Sequence, residues 1–313
     1  MNRVSSFLKS FWELLKGTFP KWWERSPFNN SVIIAYYTIF SLPGLLVIVI
    51  NLAGIIFGAE AVTHQISGQI SGMVGQNTAK DIEAIISESS RQDGTVLSTV
   101  LSIAILLFGA TGVFYQLQQI LNQMWEVKPK PRGKLFKLIK DRVFSFGLIL
   151  VVGFLMLVSL ILSAALSAVS SWVGSHISDS MNVLFVILDF IVSLLLTALL
   201  FAAIFKFLPD AKIRWRDVFP GAVLTAILFV LAKFALGIYF GKSDPGSAYG
   251  AAGTIVLIML WVSYAGLIVL FGAEFTREYA ERYGRHIVPT EAAVSTADHD
   301  SVHTDLSTME RKS

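Results

Sequence analysis

The chain has 313 residues, 54% of them hydrophobic and only 15% charged, with a mean hydropathy of +0.64 and a formal net charge of +3. A soluble domain carries about a quarter charged residues, so these figures, with apolar residues gathered in long blocks, exclude a soluble protein and leave an integral membrane protein. There is no cysteine, which excludes a disulfide framework or a thiolate metal site.

Residues 1–27 are expected to form a cytoplasmic amphipathic segment. The stretch "RVSSFLKSFWELLKGTFPKWWER" puts Val4, Phe7/Leu8, Phe11/Trp12 and Leu15 at helical spacing among Lys and Glu, ahead of Trp22 and Trp23. Such a basic helix lies at the membrane interface; the other fit is a helix packed on the cytoplasmic ends of the spans.

Residues 28–280 read as an all-α membrane domain of six transmembrane helices, near 32–57, 95–115, 143–173, 182–205, 218–241 and 250–273. Each is long enough for a span of about 20 residues, and lipid requires each backbone to satisfy itself as a helix. The first block begins near residue 32 and is too long for a signal-peptide core, so it reads as an uncleaved anchor. Within it Pro43, followed by Gly44, removes a helical hydrogen bond. Ser41 and Thr38 are placed to compensate, and Pro43 reads as a fixed kink or as a moving hinge.

The connection 58–94 holds Ile66, Ile70, Met73/Val74, Ile82 and Ile85/Ile86 at helical intervals, as expected of two short amphipathic helices over the outer mouth. The second span runs into Gln116, Gln118, Gln119, Asn122 and Gln123. A basic linker follows, "KPKPRGKLFKLIKDR", with Lys128, Lys130, Lys134, Lys137, Lys140, Arg132 and Arg142. It is expected to contact anionic lipid headgroups, or else only to fix topology. Residues 281–313 are Ser/Thr/Asp/His-rich and read as a disordered cytoplasmic tail. His299 and His303 within it read as solvated, not as metal ligands.

Of the 25 basic residues, 21 fall on the side that carries both termini and three on the other, with Lys233 inside a span. Both termini are therefore expected to be cytoplasmic.

Asp189 in the fourth span and Lys233 in the fifth are the lone charges within the apolar runs. They lie ~10 Å and ~12 Å from the outer ends at 1.5 Å per residue. Asp189 shares a face with Ser193 and Thr197. Intramembrane charges pair or line a pathway, so an Asp189–Lys233 pair is one expectation and an outward-snorkelling Lys233 the other. Glu274, at the end of the sixth span, reads as solvated, or as paired with Arg277 or a linker arginine. With Gln116, Gln119, Gln123 and Asn122 it forms a second polar zone, suited to an amphiphile if the two zones share one cavity.

No nucleophile elbow, H-E-x-x-H or P-loop is present, so no catalytic residue, cofactor or metal is expected. Gly109 and Gly112 sit in an apolar helix and read as packing residues.

Five segments together resemble a known family: "AYYTIFSLPGLL" (35–46), "GATGVFYQLQQILNQMWEV" (109–127), "FLPDAKIRWRDVFPGAV" (207–223), "AYGAAGTIVLIMLWVSYAGLIVLFGAEF" (248–275) and the basic linker. With these, residues 28–280 resemble the YihY/BrkB family of bacterial inner-membrane proteins. Leu42 stands where that family has a small residue, while its proline is kept as Pro43. The resemblance implies a six-helix inner-membrane protein with links to envelope lipid transport and serum resistance. The family's former ribonuclease BN label fits badly, because this chain lacks the necessary metal-binding carboxylates and histidines. The expected function is non-enzymatic transport or handover of a lipid-like amphiphile, with a scaffold recruiting envelope partners as the alternative and RNA cleavage a distant third. The expected partners are membrane lipids and an envelope protein, not nucleic acid.

Overall fold

Long apolar runs become long helices. In a computed structural model of the chain, residues 3–58, 111–130, 180–243, 252–284 and most of 287–296 are described, with isolated positions between 60 and 84 and at 249. Helix α1 is Arg3–Glu24 and α2 is Pro27–Phe57. The described part of α3 is 111–124, followed by strand β1, Val127–Pro129. Next come α4 (Ser180–Phe207), β2 (Ala211–Lys212), α5 (Trp215–Ser243) and α6 (Gly253–Tyr283). Two short strands end the described chain, β3 (Val288–Pro289) and β4 (Ala293–Ser295).

By length and composition, four helices can cross a membrane: Pro27–Val47, Ile187–Phe207, Trp215–Phe240 and Gly253–Tyr283. They match the first, fourth, fifth and sixth expected spans. Of the second only its end is described, running on as α3, while the third span, 143–173, and most of 58–94 lie outside the described residues.

Helix α2 begins with Pro27 at its first position, where the missing N–H is harmless, and continues through Pro43. Thr38 Oγ1 donates to Ile34 O at 2.8 Å and Ser41 Oγ accepts from Val113 N at 3.2 Å. Both hydroxyls expected to compensate Pro43 thus serve other groups, and Ser41 joins α2 to α3.

Helix α6 is central: α1, α2 and α5 pack against it, and α4 packs on α5. Its 31 residues extend about 46 Å, more than the roughly 30 Å of bilayer hydrocarbon. The surplus turns carry Glu274, Arg277, Glu278, Glu281 and Arg282, and α1 runs antiparallel along them. Phe11 meets Phe275 at 5.8 Å between centroids, and Arg282 donates to Glu13 at 2.8 Å. Leu14, Thr18 and Trp22 are buried in that contact, while Trp12, Phe19 and Trp23 face out. Packing on the helix ends and an outward aromatic stripe thus coexist on one amphipathic helix.

Helices α5 and α6 cross through the same five-residue pattern, GAVLT (221–225) and GAEFT (272–276). A Cβ on Gly221 would lie 1.9 Å from Thr276 Oγ1, and one on Gly272 would lie 1.7 Å from Thr225 Oγ1. Each glycine therefore receives the threonine of the other helix. The main apolar cluster continues from this crossing through Ala222, Ala226 and Ala273 to Phe201, Phe205 and Leu208 of α4 and to Leu121 and Trp125 of α3.

The expectation of a disordered chain from residue 281 is corrected over the described part. Helix α6 runs to Tyr283, and beyond it β3 pairs antiparallel with β2, and β4 with β1. Thr290 N donates to Asp210 O at 3.0 Å, and Thr296 N to Glu126 O at 2.8 Å. The segment is a strap tying the α4–α5 loop to the end of α3. Two- and three-residue strands leave no periodic pattern to read, since their pairing partners are distant loops. Gly284 lets the chain turn into the strap, because a Cβ there would sit 2.7 Å from the Asp217 carboxylate.

Candidate functional site

Helix α3 ends in polar residues, and its last carbonyls need donors. Two arginines from different elements supply them. Arg25 Nη1 donates to Gln123 O at 2.8 Å and Arg277 Nη1 to Met124 O at 3.1 Å, cations placed where the helix dipole is negative. The same two guanidinium groups grip Glu126. Arg25 Nη2 reaches Oε1 at 2.9 Å, and Arg277 Nη2 reaches Oε2 at 2.9 Å.

Behind them lies Glu274, with 0% of its side chain exposed. Arg25 Nε is 3.0 Å from its Oε2, and Arg277 Nη1 is 4.0 Å from its Oε1. The charges pair, yet the Arg25 Nε–H is not aligned on the carboxylate, so neither Glu274 oxygen receives a directed hydrogen bond. Glu281 accepts from Arg277 Nε at 2.8 Å, and Lys21 pairs with Glu278. The Glu278 hydrogen bond raises the pKa of Lys21 above its ordinary value, against an opposing pull from partial burial.

Ser26 (φ 52°) and Glu126 (φ 53°) are the described non-glycine residues with positive φ; Ser26 follows Arg25, and Glu126 is the ion-pair partner of that arginine. A left-handed backbone costs an L-residue about 1–2 kcal/mol. Such strain persists only where the surroundings over-determine it, and here the arginine clamps do so.

Beside this knot opens a cleft of about 540 Å³, lined by Arg25, Gln119, Asn122, Gln123, Glu126, Val127, Lys128, Pro129 and Thr296. Three residues expected from the sequence, Gln119, Asn122 and Gln123, meet there with Lys128 of the basic linker. Asn122 is fixed twice over: its Nδ2 donates to Asp210 Oδ2 at 2.9 Å, and its Oδ1 accepts from Asp210 N at 2.7 Å. Asn122→Ala leaves a partly buried carboxylate and a backbone N–H without these partners. The expected loss is about 1–3 kcal/mol, measured as a lower thermal midpoint of the full chain in detergent.

Other expected residues fall elsewhere. Gln116 is half-buried on α3 and does not line the cleft. Gln118, outside the expected set, is buried with its Oε1 unpartnered. Lys130 donates to Glu291 O of the strap at 3.0 Å, whereas Arg132, Lys134, Lys137, Lys140 and Arg142 lie outside the described residues. The reading of Glu274 as solvated is corrected, while the expected contact with Arg277 is present at 4.0 Å. Glu274 is fully buried, and its nearest cation is Arg25, from the α1–α2 junction.

Asp189 and Lys233, expected either to pair or to leave Lys233 snorkelling alone, are not among the ion pairs of the described residues. The buried α4–α5 seam, Leu194 to Phe205 against Val218 to Phe229, stops short of both charges. Lys233 is half-buried, and Asp189 Oδ1 is buried without a hydrogen-bond partner. Thr197 Oγ1 turns back to Ser193 O at 2.8 Å, and none of these four residues lines the cleft. Unpaired residues contribute independently, so the stability effects of Lys233→Met and Asp189→Leu are expected to add within about 0.5 kcal/mol. A larger recovery in the double variant, read by thermal unfolding, would restore the pair.

Among the described residues no group of three or more His, Asp or Glu could hold a metal ion. The long apolar helices, capped at their charged ends by short helical and strand segments, define a multi-pass, mostly helical membrane protein. The chain belongs to the family described as Virulence factor BrkB, whose profile matches residues 18–296.

Among its relatives, a UPF0761 membrane protein of Teredinibacter turnerae is 26% identical over 258 residues, covering 82% of this chain and 58% of its own length. One from Vibrio vulnificus is 24% identical over 281 residues, covering 90% of this chain and 86% of its own. One from Tolumonas auensis is 38% identical over 79 residues, a quarter of each chain (25% and 26%). The chain thus spans little more than half (58%) of the Teredinibacter relative's length. No solved structure matches it.

Proposed function

We propose that this is a non-enzymatic protein of the bacterial inner membrane that moves or hands over a lipid-like amphiphile, with six spans and both termini in the cytoplasm. The carrying observation is the cleft. It joins cations, a carboxylate and amides in one open cavity where the apolar helices end. An amphiphile has the matching shape, a polar head for the cleft and apolar tails for the lipid beside it. A volume of about 540 Å³ lies in the range of small-ligand sites, roughly 300–1,000 Å³, which is room for a headgroup. The charge asymmetry, 21 basic residues on one side, supports the orientation. In this reading Pro43 and Gly44 shape the bundle, and the basic linker rests on anionic headgroups.

The exposed stripe of Trp12, Phe19 and Trp23 favours a second reading, a scaffold that recruits an envelope partner through α1. Purification in mild detergent followed by mass spectrometry of extracted lipid separates the two. Transport predicts a retained lipid that Asn122→Ala reduces. Absence of any retained lipid, with an unchanged membrane lipid profile in a deletion strain, would sink the transport reading. A reporter fused after Ser313 should be cytoplasmic, and one inserted near Gln76 periplasmic.

A further inference from the structure

The bundle covers one face of α1 and leaves the other bare. Phe11, Leu14, Thr18 and Trp22 turn toward α6. Lys9, Trp12, Lys16, Phe19 and Trp23 follow a separate stripe, within an arc of about 80° at about 100° per residue. All five are exposed, the three rings by more than half. We propose that this stripe docks α1 into the interface of the bilayer that α2 crosses, its occupant being lipid headgroups and the acyl carbons next to them.

Continuity with α2 identifies the occupant. Phe19 stacks on Trp23 with centroids 6.1 Å apart, and Trp23 meets Phe28 edge-on at 5.6 Å. Phe28 opens the outward line of α2, which continues through Val32, Tyr36 and Phe40 at every fourth residue, all exposed. That line belongs to a helix long and apolar enough to cross the membrane. The exposed apolar surface of the span thus passes onto α1, and the lipid beside α2 extends under it. Composition suits that depth, since Trp is enriched where an apolar ring and a polar N–H meet both media. Lys16 Nζ stands 5.4 Å from the Trp12 ring centroid, and with Lys9 it faces the level of anionic headgroups. A protein partner is the poorer occupant, because the cores of protein interfaces are depleted of Lys. Trp23 precedes Arg25 of the cleft wall by two positions, about 3 Å along the helix, so docking also sets that wall at headgroup level.

The chain has no cysteine, so Phe19→Cys gives the full chain a single nitroxide label, read in vesicles of phosphatidylethanolamine and phosphatidylglycerol. Electron paramagnetic resonance compares collisions with oxygen, which concentrates in lipid, and with a water-soluble nickel chelate. Oxygen collisions are expected to exceed nickel collisions, at a depth of about 5–10 Å, where the apolar face of an interfacial helix lies. The same label on Tyr36→Cys, inside the span, should read deeper. Nickel in excess would place the stripe in water. Protection from both reagents would mean that a second copy or another protein segment covers it. Either result overturns the proposal. Trp12→Cys supplies the same comparison if Phe19→Cys fails to fold. None of these outcomes bears on the amphiphile reading of the cleft, which the lipid extraction tests separately.

Discussion

Replacing Gly272 with alanine is expected to destabilise the protein by about 3 kcal/mol, the upper end of ordinary overpacking. The added Cβ would meet Thr225 Oγ1 at 1.7 Å and Thr225 Cβ at 2.9 Å. The threonine is poorly able to swing aside, because its hydroxyl donates to Gly221 O at 2.6 Å within its own helix. The mirror contact is equally constrained: Thr276 Oγ1 donates to Gly272 O at 2.8 Å and occupies the space above Gly221. Helices in lipid associate through close packing, with no hydrophobic drive between them, so lost contact at this crossing has no ready substitute. Gly272→Ala should lower the thermal midpoint of the full chain in detergent, and Thr225→Gly added to it should recover much of the loss. An unchanged midpoint in Gly272→Ala would mean that the helices cross at greater distance.

That crossing was written in the sequence as two copies of G-A-x-x-T, yet neither copy announces the other. Seeing them as partners requires knowing that α5 and α6 lie antiparallel and in register. The four described spans were readable because hydrocarbon thickness imposes a length and lipid forbids an open backbone. The spacing of Gln119, Asn122 and Gln123 was readable for a similar reason, as helical periodicity places them on one face. Pairings between elements far apart in the chain were not. Glu274 looked solvated because it follows the apolar run of α6, but α1 folds back over those turns and buries it. Asp189 and Lys233 were opposite in sign and nearly level in depth, but that reading ignores where the helix seam ends. The strap at 287–296 looked featureless, since its order comes from loops more than 70 residues away in the chain, such as Ala211–Lys212 against Val288–Pro289.

Glu274 and Arg25 should respond asymmetrically to removal. Arg25→Met withdraws the cation 3.0 Å from a carboxylate with no solvent exposure, leaving Arg277 Nη1 at 4.0 Å as the nearest remaining cation contact. Breaking a buried pair in this way typically costs about 3–5 kcal/mol. The same change also removes the donor to Gln123 O. Glu274→Leu is milder, because Arg25 keeps Gln123 O and Glu126 as partners; an expected loss of about 1–3 kcal/mol reflects the desolvated Nε. The informative comparison is the double variant. With Glu274→Leu in place no buried carboxylate is stranded, so Arg25→Met/Glu274→Leu should be more stable than Arg25→Met alone, though still below the wild type. Thermal unfolding of the four proteins in one detergent gives the ordering directly. A double variant no more stable than Arg25→Met would show that Arg25 matters for capping α3 and holding Glu126, and that the buried charge of Glu274 is already balanced without it.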